Sequence, residues 1–195
     1  ATVGAAVEHY RVELEGFFGF DLAQIFPFNL ARTWHVQLSL LWTAAAFLAS
    51  AIFLAPIISG REPKGQHYLS YGLLGALALV VAGMFGGTAI SIYGPDWAEG
   101  SIFFSQQWEY LDLPRFFQIL LVIGLFLWFL IIVRAIRSRL RTESKFNMPW
   151  LFTYAALAIP AFYAVGLLAM NTVHLTVAEF WRFWVVHLWV EDFLE

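Results

Sequence analysis

Apolar residues run almost unbroken through four long stretches of the chain, and the polar residues gather between them. Each run is long enough for a helix that crosses a bilayer, which needs about 20 apolar residues. The first extends from about Asn29 to Ser59, with Pro27 just ahead of it and Pro56 near its exit. The second covers about Tyr68 to Tyr93, where Gly72, Gly75, Ala76, Gly83, Gly86 and Gly87 allow close approach of other helices or of a macrocycle. The third spans about Pro114 to Val133 and exits into RAIRSRLR. The fourth, about Pro149 to Met170, contains Pro160, which is expected to kink it. A short link, NTVHLTVAE, leads into a last helix starting near Thr176. The expected fold is all-α: a polytopic membrane helix bundle with five spans, the last one truncated. Residues 1–27, with Glu8, Glu13, Glu15 and Asp21 against Arg11, read as an aqueous or interfacial approach to a membrane domain over 28–195.

Composition sharpens this picture. Hydrophobic residues make up 61% of the chain, charged residues 13% and aromatics 18%, far from the balance of a soluble domain. The absence of cysteine excludes disulfides and thiolate ligation, so any metal must be held by His, carboxylate or backbone. A net charge of -3 and the lack of a basic tract give no sign of nucleic-acid binding. Expected partners are membrane lipid and small or lipid-soluble molecules. There is no initiator Met or signal-peptide pattern, and the chain stops at Glu195 inside an apolar helix. A piece of a longer polytopic polypeptide is expected, with the remainder as its partner.

Charge also sets the orientation. Seven of the eleven basic residues (Arg61, Lys64, Arg134, Arg137, Arg139, Arg141 and Lys145) fall on two loops of one side. The positive-inside rule makes that side cytoplasmic. Residues 1–27 and the acidic, aromatic loop 94–113 then face outward. His35 lies roughly 9 Å into the first span from that outer face, and His187 about 16 Å along the last helix.

Four groups of polar residues stand out against this background. His187, Glu191 and Glu195 recur every four residues and form a column on one face of a helix. Such a column is either a structural polar pair or part of a metal or proton site; imidazole with carboxylate suits iron. His9 and Glu13 are also four apart, with Phe17 one helical turn further on. A solvated surface pair is one reading; a site that binds the two ends of a quinol and takes its protons is the other. His35 can hydrogen-bond a neighbouring helix or serve as an axial haem ligand. Glu109, in loop 94–113, is a hard oxygen donor. His67 and His174 read as interfacial.

The strings that carry these residues are similar to one family. WVVHLWVE resembles the segment of the nitric oxide reductase large subunit, a branch of the haem-copper oxidase superfamily, that supplies a His and a Glu to non-haem iron. RTWHxQL resembles its low-spin haem segment, and WEYLDLPRF its WEYLDLGRF. EHYRVE, FFG and D-L-x-Q resemble the approach to the first core helix in the quinol-oxidising members. The matches run in family order from residue 8 to residue 195. The resemblance implies a haem-copper-oxidase-like bundle in the bacterial or archaeal cytoplasmic membrane. Its chemistry passes electrons from quinol through low-spin haem b to high-spin haem b3 and non-haem iron, where nitric oxide becomes nitrous oxide and water. The same resemblance implies His35 as axial ligand of low-spin haem, Arg32 beside a haem propionate, and His187 and Glu191 as iron ligands. Glu191 and Glu195 are its catalytic candidates, with Glu195 handling protons or charge, and His9, Glu13 and Phe17 contact quinol. Glu109 is its candidate calcium ligand. Two departures are visible: Asp192 replaces the usual Gly after the glutamate, and Pro114 replaces a Gly. A divergent relative that dismutates NO or reduces oxygen stays open, as does a non-catalytic helical membrane subunit.

Overall fold

The computed structural model describes residues 1–13, 16–17, 19–168 and 172–191. A helix of 12 residues, α1 (Thr2–Glu13), opens the chain and lies against the start of α2 (Phe28–Ser59). Between them Gly16–Phe17 (β1) and Phe20–Asp21 (β2) form an antiparallel ladder, Gly16 opposite Asp21 and Phe17 opposite Phe20. Gly19, at φ 82°, makes the reversal possible. The helical class holds around this short ladder, which corrects one expectation: Phe17 does not continue the His9–Glu13 face, because Gly16–Phe17 pairs as a strand instead of extending α1.

Four helices have the length and apolarity to cross a membrane: α2, α3 (Gln66–Tyr93), α4 (Arg115–Thr142) and α5 (Met148–Val165), the last extended by a 3-10 turn over Gly166–Leu168. α2 contains 32 residues, or about 48 Å, and so overshoots a hydrocarbon core of about 30 Å. Large side chains such as Trp42, Phe53, Leu74 and Ile123 point outward, as lipid-facing positions do. Inside, Val80, Met84, Trp128, Ile132 and Ile136 form the core between α2, α3, α4 and α5. Buried polar side chains bond across helices: the Trp128 indole N–H donates to Leu48 O at 3.0 Å and the Gln66 amide to Ile131 O at 2.7 Å. Such bonds satisfy groups that lipid cannot.

α4 is longer than expected. The run RAIRSRLR does not leave the helix but forms its last turns, since Ala, Ile, Leu and Arg propagate a helix and cations suit its C-terminus. From there Arg134 donates to Lys64 O and Arg139 to Ile58 O, each at 3.2 Å. These bonds bring the two basic segments to one end of the bundle, as the charge pattern requires.

The last element begins at Leu175, where the Thr176 N–H donates to His174 Nδ1 at 3.2 Å, so that His174 caps the helix. α6 (Leu175–Val185) has 11 residues and then widens into a π-helical turn over Val186–Glu191. Among the described residues it does not reach the length of a span, so four spans stand where five are expected.

Candidate functional site

The π-helical turn holds the first pair of site residues. His187 Nδ1 lies 3.2 Å from Phe183 O, and the Phe183 and His187 rings stack with centroids 3.8 Å apart. With its proton on Nδ1, the imidazole donates to that carbonyl and presents Nε2 as a lone-pair donor, the arrangement typical of metal-bound histidine. Glu191 Oε2 is 3.9 Å from Nε2. That gap is too long for a hydrogen bond, yet it is shorter than the ~4.2 Å that two metal–ligand arms of ~2.1 Å can span end to end. Both side chains are exposed on one face. The column expected from four-residue spacing is therefore present at His187 and Glu191, on wider winding than an α-helix; such turns recur at functional sites. The pair offers a nitrogen and a carboxylate oxygen to one first-row ion once the gap closes by about 0.5 Å, toward the ~3.4 Å separation of a tetrahedral ligand pair. No cluster of three or more His, Asp or Glu exists among the described residues, so further ligands would have to come from elsewhere. Glu195 and Asp192 lie outside the described residues, as does the side chain of Phe17.

The loop before α4 is locked by Glu109. Its carboxylate accepts the N–H of Leu111 at 2.7 Å and of Leu113 at 2.8 Å. This clasp holds Asp112 at φ 53°, a left-handed conformation that Asp tolerates better than most residues. The clasped turn is in turn held by two helices: Gln37 of α2 donates to Leu111 O at 2.7 Å and Gln118 of α4 to Leu113 O at 3.0 Å. Glu109 is 3% exposed. Burial pushes its carboxyl up to about 7, against the two backbone N–H bonds that favour the anion. As a calcium ligand it fits in one respect: each oxygen keeps a lone pair after accepting its N–H. Calcium takes six to eight oxygens, however, and the described residues gather no carboxylate cage around Glu109.

Asp112 connects this loop to α6. Its carboxylate lies 3.9 Å from Arg182 Nη2, and Arg182 also faces Glu179 at 3.7 Å. Burial raises Asp112 to about 6, while Arg182 and then Arg32 pull it down. Tyr110, Glu179, Arg182, Phe183 and His187 line a cavity of about 220 Å³ that opens beside the His187 ring. The loop, the first turns of α2 and the helix bearing His187 thus converge at one end of the bundle. Sequence reasoning misses Asp112 and Arg182. Asp112 sits within the WEYLDLPRF string, but Arg182, near the end of a short helix, has the look of an ordinary interfacial cation.

The remaining candidates lie on α1 and α2. His9 Nδ1 is 3.1 Å from Glu13 Oε2, so the expected pair is formed. Arg32 and His35 are one turn apart on α2, and both are exposed. α1 touches His35 directly: a Cβ built on Gly4 would come within 2.7 Å of Cε1 and 2.8 Å of Nδ1, but 3.8 Å from Nε2. The Nδ1–Cε1 edge of the ring lies against α1, and Nε2 is the nitrogen farther from it. An exposed imidazole, beside an exposed guanidinium, fits an axial haem ligand with a propionate partner. Any further ligand of such a haem would have to come from residues outside those described.

Two comparisons with known proteins bear on this arrangement. Residues 2–195 match the model of the family Cytochrome C and Quinol oxidase polypeptide I. A nitric oxide reductase subunit of Stutzerimonas stutzeri is 26% identical over 197 residues, covering 99% of this chain and 40% of that protein. The chain spans about two fifths of the length of that curated relative. With its helical bundle, its membrane-length spans and a match over nearly its whole length, this chain belongs to the cytochrome c and quinol oxidase polypeptide I family of membrane oxidoreductases, in a form similar to the large subunit of nitric oxide reductase.

Proposed function

We propose that the chain forms part of a quinol-dependent nitric oxide reductase in a bacterial or archaeal cytoplasmic membrane, and that it acts with the remainder of the same polypeptide. The reaction balances as one quinol and two NO giving quinone, nitrous oxide and water. The observation that carries this reading is the pairing of His187 Nε2 and Glu191 at 3.9 Å, with Nδ1 against a backbone carbonyl. A carboxylate beside the histidine distinguishes a site for iron from one built of imidazoles alone.

Low-spin haem b, high-spin haem b3 and non-haem iron, when bound, would supply the one-electron steps of the reaction. His35 would hold the low-spin haem through Nε2, and Arg32 would offset the charge of a propionate. His187 and Glu191 would hold the iron, and Glu195 would handle protons or charge. His9 and Glu13, hydrogen-bonded to each other, would receive the two ends of the quinol and its protons; the contact of Phe17 with quinol rests on the sequence resemblance alone. Glu109 shapes the loop beside the haem end and offers oxygen to a calcium ion.

Product analysis of the full-length protein supplied with quinol and NO tests the proposal. Nitrous oxide as the product supports it. Oxygen released from NO, or quinol-driven oxygen consumption without nitrous oxide, would replace it with a divergent relative, the reading that Asp192 favours. Turnover of neither substrate would point to a non-catalytic subunit.

A further inference from the structure

We propose that Gly4 is a positioning residue for His35: lacking a side chain, it lets α1 abut the Nδ1–Cε1 edge of the imidazole and fixes the ring with Nε2 as the nitrogen farther from α1. This deepens the proposed function and rests on the reading of His35 as a haem ligand. The distances are specific to one edge. A methyl group at Gly4 would sit 2.7 Å from Cε1 and 2.8 Å from Nδ1, closer than carbon approaches carbon or nitrogen without displacement, whereas Nε2 is 3.8 Å away. The flanking sequence points the same way. Ala5 and Ala6 follow in the same helix, so glycine stands at the one position of the three where a Cβ would meet the His35 ring.

The contact also ties two candidate sites together. α1 carries His9, five residues beyond Gly4 and therefore roughly 7.5 Å further along its axis. How α1 seats on His35 sets how far the His9–Glu13 pair stands from that imidazole. A residue at position 4 with a Cβ must either rotate the His35 ring or lift α1. Either movement changes the field and orientation of an axial ligand, which a low-spin haem reports in its electron paramagnetic resonance.

The experiment compares Gly4→Ala, Gly4→Val, Ala5→Val and His35→Ala in the full-length protein in membranes, reading the low-spin haem signal and the haem content. Ala5 is exposed on the same helix and serves as the control. Gly4→Val should retain haem while displacing the low-spin signal, Gly4→Ala should displace it less, and Ala5→Val should match the wild type. His35→Ala should lose the signal. If His35→Ala loses it while both Gly4 variants keep the wild-type signal, the role of Gly4 is overturned and the ligand reading stands. A wild-type signal in His35→Ala overturns both. Should Gly4→Val fail to assemble, Gly4→Ala decides by the same criterion.

Discussion

Asp112 and Arg182 face each other across 3.9 Å, joining the clasped loop before α4 to the helix that bears His187. Burial raises the Asp112 carboxyl to about 6 from 3.8, and Arg182 is the largest influence opposing that rise. A carboxyl whose folded value is raised binds its proton more tightly when folded, so its contribution to stability is lost as pH rises through that window. Arg182→Ala removes the opposing charge and should raise Asp112 further. The fall in thermal stability that begins near pH 4 should therefore persist above about pH 6 in the variant, where the wild-type slope from Asp112 becomes shallower. Asp112→Asn in the Arg182→Ala background should restore the shallower slope; an unchanged slope would show that the pair is not coupled.

Glu109 makes the same argument in a more buried place. Its value rises from 4.5 to about 7, so the wild type should lose stability between those pH values as the buried carboxyl is forced to ionise. Glu109→Gln, which cannot ionise, should flatten that slope. It should also cost stability at pH 5, because an amide replaces one of two oxygens that accept the Leu111 and Leu113 N–H groups, and a buried unsatisfied donor costs about 1–3 kcal/mol. The check is a pair of melting curves at pH 5 and pH 8.

Packing between α3 and α4 gives a prediction independent of any cofactor. A Cβ at Gly83 would lie 2.2 Å from the Phe117 ring, while one at Gly124 would meet only Leu73 at 3.8 Å and Ala76 at 3.9 Å. Gly83→Ala should destabilise the bundle by about 1–3 kcal/mol through overpacking. Gly124→Ala should be neutral or stabilising, since it adds a good helix former at ordinary contact distance. Thermal stability of the two variants in detergent tests the contrast.

Removal of the carboxylate at position 13 should separate the electron donors. Glu13→Ala breaks the 3.1 Å pair with His9, and quinol-driven turnover should fall more than turnover with an artificial reductant. Equal loss with both donors would place the pair outside the quinol site.

Hydropathy alone reveals the four spans, because an apolar run of the right length has few other uses. It does not reveal where α4 ends: arginines read as the start of a loop, although they continue a helix well. The His187–Glu191 and His9–Glu13 pairs are legible because four-residue spacing survives moderate changes in winding. Phe17 is misplaced by the same rule, since spacing does not reveal that Gly16–Phe17 pairs as a strand with Phe20–Asp21. Contacts between distant segments, Asp112 with Arg182 and Gly4 with His35, leave no periodic trace in the sequence. They emerge only once the helices are packed.

The proposed function centres on an iron site at His187 and Glu191, and iron content is its most direct test. The full-length protein should contain iron in excess of its haem, and Glu191→Ala should lose that excess together with nitrous oxide production while keeping the low-spin haem signal. A Glu191→Ala protein with undiminished non-haem iron would contradict the assignment.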